Sequence, residues 1–106
     1  VIEIDTELNA QDLLSQLLEI ETSIGRMRTG KWGPRIIDID ILFYRDEIIR
    51  TKSLTIPHPE IQNRKFALIP LRDLTNMTHP VLQKTIEELL KECKDSLEVK
   101  RLQPQR

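Results

Sequence analysis

Lys31-Trp32-Gly33-Pro34-Arg35-Ile36-Ile37-Asp38-Ile39-Asp40-Ile41-Leu42-Phe43 is the stretch on which the reading of the fold turns. A Gly-Pro turn feeds a strand rich in isoleucine. Side chains along a strand alternate between faces. Ile37, Ile39, Ile41 and Phe43 are therefore expected on a core face, with Asp38 and Asp40 together on the other. Two residues apart on one face, their Cβ atoms would lie about 6.5–7 Å from each other. Carboxylates held that way suit oxygen-seeking cations such as Mg²⁺, or a pair of metals about 3.5–4 Å apart. A plain antiparallel strand with one wet face would alternate in the same way. Against that, like charges on neighbouring positions of one face repel, and Asp is depleted in strands. Arg26, Arg28, Lys31 and Arg35 lie just upstream. Acids for a metal beside bases for phosphate is the layout that Mg²⁺-dependent phosphoryl transfer requires.

At 106 residues the chain makes at most one domain, 1–106, with a modest core. Hydrophobic residues are 39% and charged residues 31%, as in an ordinary globular protein. The net charge of −1 gives no global pull toward nucleic acid or an anionic membrane, so phosphate binding must come from local clustering. Cys93 is the only cysteine, which rules out an internal disulfide and fits a reducing compartment such as the cytoplasm. No apolar run approaches the roughly 18–20 residues that span a bilayer. The chain opens without Met and directly in β-like sequence, from which an N-terminal portion of the same domain is expected to be missing.

Working outward, Val1 to Thr6 alternates as a half-buried strand would. Asn9 is a good N-cap, with Asp12 in the first turn. The helix it starts is expected to run to about Ile24 and to end at Gly25. Glu19 and Glu21 fall near its C-terminal end, where the macrodipole disfavours carboxylates. That hints at a positive partner, although each also reads as a solvated surface position. Gly25 to Pro34 carries three glycines, three cations and Trp32. It reads as a mobile loop able to close over an anion, or equally as a solvated basic loop with Trp32 on the core edge. The Asp38/Asp40 strand is expected to turn at Arg45-Asp46-Glu47 and return as Glu47–Arg50, a hairpin, with Leu54–Ile56 a further extended piece. Pro57-His58-Pro59 is locally stiff and presents His58 from a rigid frame, which suits a binding residue and equally an ordinary surface histidine. Arg64 follows one turn on. The next helix is expected to bury Phe66, Leu68, Ile69 and Leu71, with Pro70 interrupting it. Asn76–Pro80 is a turn-rich linker, and Thr85 with Glu88 forms a capping box for a helix over Ile86–Cys93. Leu97–Leu102 alternates as a last edge strand would.

Lys31–Leu42, Gly25-Arg26-Met27-Arg28, Leu54-Thr55-Ile56-Pro57-His58-Pro59 and Asn63–Leu71 together resemble the motifs of the 6-hydroxymethyl-7,8-dihydropterin pyrophosphokinases of folate biosynthesis. The resemblance covers roughly residues 1 to 72 in unbroken order; the last third fits only in general character. It implies a ferredoxin-like α+β sandwich with an antiparallel sheet, and ATP-dependent transfer of a pyrophosphoryl group to the pterin's hydroxymethyl oxygen. Asp38 and Asp40 would hold two Mg²⁺ ions. Arg26 and Arg35 would neutralise the transferred group. Arg28, His58 and Arg64 would contact ATP, with Thr55 and the backbone at Ile41 by the nucleoside. Trp32 would close over the site, Phe66 would stack on the pterin, and Glu21 would help organise the acidic cluster. Transfer of this kind needs alignment and charge neutralisation more than covalent work by the protein, and no side-chain nucleophile is called for.

The family's chain has a further N-terminal strand, helix and strand, so these residues match about the C-terminal two-thirds of its domain. Alone they are expected to expose a sheet edge, lack half the pterin site and show little activity. The alternative is a catalytically silent ferredoxin-like module that binds a nucleotide or a partner chain. Nucleic-acid binding ranks third, because the basic residues lie beside carboxylates and the overall charge is slightly negative.

Overall fold

In the computed structural model, residues 1–29, 39–96 and 98–100 are described. They form three α-helices, a two-stranded antiparallel sheet and a short 3₁₀ turn, an α+β composition. The chain divides into two units, residues 5–58 and residues 59 onward together with Val1–Ile4. Among the described residues no helix is long and apolar enough to cross a membrane.

In the 5–58 unit, α1 spans Ala10–Thr29. Asn9 caps it as expected: its Oδ1 accepts from the Asp12 amide at 2.8 Å. Ala10, Leu13, Leu14, Leu17, Glu21 and Ile24 recur at helical spacing and make the covered stripe, whereas Leu18 and Ile20 are exposed. The helix does not stop at Gly25 but continues to Thr29. A mid-helix glycine costs only about 1 kcal/mol relative to alanine, and the Arg, Met and Arg that follow are good helix formers. The first half of the expected loop is therefore helix; residues 30–38, including Asp38 and the start of the expected aspartate strand, lie outside the described part.

Ile39–Tyr44 is extended in sequence pattern but joins no strand, and the chain turns at Tyr44–Glu47 with the Glu47 amide on the Tyr44 carbonyl and Arg45 at φ 52°. The hairpin forms one step later than expected. β1 (Ile49–Arg50) pairs with β2 (Thr55–Ile56), Ile49 opposite Ile56 and Arg50 opposite Thr55. Thr51 supplies the reason. Its amide donates to the Leu54 carbonyl at 2.9 Å, and its hydroxyl accepts from the Leu54 amide at 3.0 Å. Two exposed residues, Lys52 and Ser53, are thus closed into a tight loop. Ala10, Leu54 and Ile56 form the core of the unit, with Leu14, Ile41, Tyr44 and Ile49 packed on it. Full burial of a side chain such as Ile56 is worth about 1.5–3 kcal/mol. Gln11 ties α1 to the hairpin loop through Ser53 at 3.1 Å, and the Tyr44 hydroxyl donates to the Leu8 carbonyl. The Ile56–Pro57 peptide bond is cis.

In the other unit, the 3₁₀ turn Ile61–Asn63 leads into α2 (Lys65–Leu74), which packs on α3 (Ile86–Glu92). Ile61, Ala67, Leu68, Leu71, Ile86 and Leu89 are its buried apolar residues among those described. Pro70 does not interrupt α2; the ring only removes the hydrogen bond residue 70 would give to the Phe66 carbonyl. Phe66 is not on the covered side, at 54% exposed, because 67, 68 and 71 form the face toward the core. The capping box on α3 is present in both directions, at 3.2 Å for the Glu88 amide on Thr85 and 3.0 Å for the Thr85 amide on Glu88. Those bonds hold the Glu88 carboxyl below its ordinary pKa, the Thr85 backbone amide first.

Neither of two further expected strands appears among the described residues. Val1–Thr6 joins no sheet and leaves Ile2 and Ile4 exposed, and Glu98–Lys100 is likewise unpaired. Alternation alone makes no strand; a ladder partner must be there, and among the described residues neither segment has one. Leu97, Arg101 and Leu102 lie outside the description.

Candidate functional site

Glu21 is the first residue to consider, because it interrupts an otherwise apolar stripe. It is 9% exposed, one α1 turn beyond Leu17, and its Oε2 accepts from the backbone amide of Ile39 at 3.3 Å. Its expected place as a solvated surface position is thus corrected. The helical phase that takes Ile20 out to solvent carries Glu21 inward. Ile39 is the residue between the two aspartates in sequence, so a carboxylate on a 20-residue helix grips the Asp-x-Asp segment by its main chain.

Asp40 is exposed, and the next residue, Ile41, packs on the core. Polar-out and apolar-in thus hold for this pair of neighbours even without strand pairing. Asp40 Oδ2 lies 3.9 Å from His58 Nε2. His58 is fixed by its own backbone: its amide donates to the Leu42 carbonyl at 2.9 Å, directly after the buried Ile56 and Pro57. The stiff Pro-His-Pro frame therefore delivers the imidazole beside the exposed aspartate. Thr55, three residues earlier on β2, is exposed with its partner Arg50 across the ladder.

Glu21, Ile39, Asp40, Ile41, Thr55 and His58 all belong to the 5–58 unit. Arg64 and Phe66 belong to the other, where Arg64 is half-buried at the start of α2 and Phe66 is exposed one residue inside it. The main chain places Arg26 and Arg28 on the last turns of α1. Their side chains, and Trp32, Arg35 and Asp38 altogether, lie outside the described residues. Among the described residues no three His, Cys, Asp or Glu side chains make a metal-binding group. The donor chemistry of Asp40, an exposed carboxylate with oxygens only, fits a hard cation such as Mg²⁺.

Two residues escaped the sequence reading. His79, in the segment read as a linker, is 4% exposed, and its Nδ1 accepts from the amides of Val81 and Leu82 at 3.2 and 3.0 Å. Burial lowers its pKa. The clue was the Thr-His-Pro sequence, since a side chain before Pro readily closes a turn. Asp95 Oδ2 accepts from the Lys65 amide at 3.2 Å, a contact across 30 positions that no local pattern announces.

The sequence was also compared with known proteins. A family model described as 7,8-dihydro-6-hydroxymethylpterin-pyrophosphokinase matches residues 1–76. The chain is 45% identical over 89 residues to the 2-amino-4-hydroxy-6-hydroxymethyldihydropteridine pyrophosphokinase of Aquifex aeolicus, which covers 83% of this chain and 56% of that protein. It is 40% identical over 100 residues to the protein of the same name from Haemophilus influenzae, covering 94% and 62% respectively. A folic acid synthesis protein of Dictyostelium discoideum is 44% identical over 87 residues, 81% of this chain and 13% of that much longer protein. The chain thus spans 56–62% of the length of the two bacterial relatives.

Proposed function

Because the chain belongs to the 7,8-dihydro-6-hydroxymethylpterin-pyrophosphokinase family, we propose that this protein transfers pyrophosphate from ATP to 6-hydroxymethyl-7,8-dihydropterin in folate biosynthesis. The pterin's hydroxymethyl oxygen forms a bond to the β-phosphorus. The bond from that phosphorus to the α-bridging oxygen breaks, AMP leaves, and the hydroxyl proton passes to solvent. The observation that carries this reading is the family match over residues 1–76, joined to identities of 40–45% with relatives named for that activity. It does not favour a silent binding module.

In this reading Asp38 and Asp40 hold two Mg²⁺ ions, which when bound neutralise and align the ATP phosphates. Glu21 fixes the main chain between those aspartates. Its 3.3 Å bond to the Ile39 amide supports that role. Arg26 and Arg35 balance charge on the transferred group, and Arg28 meets ATP. His58 and Arg64 bind ATP phosphates. The Asp40–His58 proximity supports His58, since a phosphate held by a metal on Asp40 would lie within reach of the imidazole. Thr55 and the Ile41 backbone border the nucleoside. Trp32 covers the pterin and Phe66 stacks on it; the exposure of Phe66 leaves its ring face available. The α+β elements belong to a ferredoxin-like sandwich, of which residues 1–106 form the C-terminal two-thirds of one domain, working in the cytoplasm with an N-terminal segment of the same domain.

The test is AMP release. The chain together with the N-terminal segment of its domain is mixed with ATP and MgCl₂, with and without the reduced pterin, and nucleotides are separated by chromatography. Pterin-dependent AMP formation that stops on chelation of Mg²⁺ is expected. ADP in place of AMP, or release indifferent to the pterin, would overturn the assignment.

A further inference from the structure

We propose that Asp95 is a positioning residue for the nucleotide site, holding Arg64 in place through the first turn of α2. The inference rests on the role given to Arg64 above. It begins with a contrast between two helix starts. α3 satisfies its first three amides from nearby residues: Ile86 on the Met77 carbonyl at 3.1 Å, Glu87 on Asn76 Oδ1 at 2.9 Å, Glu88 on Thr85 Oγ1 at 3.2 Å. α2 has no such local arrangement. Its N-cap residue is Arg64, whose side chain makes no capping bond. A guanidinium has five donors and no acceptor, so it cannot cap a helix start. The position that favours Ser, Thr, Asp or Asn is occupied by a residue that contributes nothing to the cap.

The missing acceptor comes from the far side of α3. Asp95 Oδ2 takes the Lys65 amide, the first of the helix, at 3.2 Å. A carboxylate there also favours the positive end of the helix dipole. Arg64's own main chain is clamped to the same turn: its amide donates to the Ile61 carbonyl at 3.2 Å, and its carbonyl accepts from Ala67 and Leu68, both at 3.0 Å. Where α2 begins therefore decides where Arg64 stands, and Phe66 two residues on. Asp95 frees position 64 for an arginine. It also lies beyond residue 76, where the family match ends, and gives the last third of the chain a part in the site.

The test is a double-mutant cycle on the full chain, read by the affinity for a non-hydrolysable ATP analogue with Mg²⁺, with thermal melts alongside. Asp95→Ala is expected to weaken binding about fivefold, the worth of a typical cap. Asp95→Asn, which keeps an oxygen acceptor, stays within about twofold. In an Arg64→Ala background, Asp95→Ala produces no further loss, because the residue it positions is gone. Asp95→Ala with wild-type affinity, equal losses in both backgrounds, or a wild-type protein that binds no analogue would each overturn the inference. Should Asp95→Ala not fold, Asp95→Ser, too short to reach the amide, replaces it; loss of the fold in both makes Asp95 structural and overturns it as well. Wild-type protein that binds the analogue but releases no AMP removes the proposed reaction and leaves the positioning role standing. Intact AMP release with an unaffected Asp95→Ala does the reverse.

Discussion

Replacing Asp40 by Asn should separate stability from activity by a wide margin. The side chain is 45% exposed, and its near neighbour is His58 Nε2 at 3.9 Å. Two unit charges at that distance attract by about 1 kcal/mol in water, and both charges are present only when the imidazole is protonated. Exposure and salt screening reduce this further, so the pair contributes at most about 1 kcal/mol. Asn keeps the volume and one oxygen. Urea unfolding of Asp40→Asn should therefore shift ΔG by less than about 1 kcal/mol with an unchanged m-value. If Asp40 holds a metal on the ATP phosphates, turnover should fall by at least about 10²-fold, the scale seen when a preorganised electrostatic contact is removed. Steady-state AMP formation at saturating Mg²⁺ measures it. Loss of more than about 2 kcal/mol with activity per folded molecule preserved would refute the reasoning, since Asp40 would then be a structural group.

Glu21→Gln keeps the shape and an acceptor for the Ile39 amide but removes the charge; AMP formation should drop about tenfold or more while circular dichroism stays unchanged. A variant with full activity would remove Glu21 from the acidic cluster. His79 makes the fold pH-sensitive in a definite direction. Burial puts its folded pKa below the ordinary 6.5, so the unfolded chain binds the proton more readily. Its contribution is complete above about pH 6.5 and is lost as the pH falls from there through the lowered value. Asn can offer an acceptor where Nδ1 sits, so His79→Asn should flatten the urea-stability profile between pH 7 and 5. His79→Ala should cost about 1–2 kcal/mol at pH 7, because two partly buried amides lose their acceptor. A wild-type profile level over that range would contradict this account.

How much the sequence disclosed depended on the range of the interaction. Asn9, Thr85 and Glu88 act within four residues, and each cap is where the pattern puts it. Helical spacing in α1 does not by itself separate the covered Leu17 and Glu21 from the exposed Leu18 and Ile20; only the packed helix does. Gly25 misled because a local preference of about 1 kcal/mol is outweighed by the neighbours that carry the helix on. The hairpin was displaced for a similar reason. Alternation in Ile39–Tyr44 matches a strand, but the Thr51 hydroxyl closes a tight loop downstream. The site was legible as a motif more than as a geometry. The Asp-x-Asp run and Pro-His-Pro carried the family resemblance, and Asp40 and His58 do come together. Asp95 acts on the main chain of a residue 30 positions away, and one-dimensional patterns hold no trace of such a bond.

Ile56 is 1% exposed at the end of β2, with Thr55 on one side and, past Pro57, His58 on the other. The groups proposed for nucleoside and phosphate are thus mounted on a single peg driven into the core. Neither can be retuned alone: evolution or an engineer who shifts the peg to suit a different base will drag the phosphate end along with it.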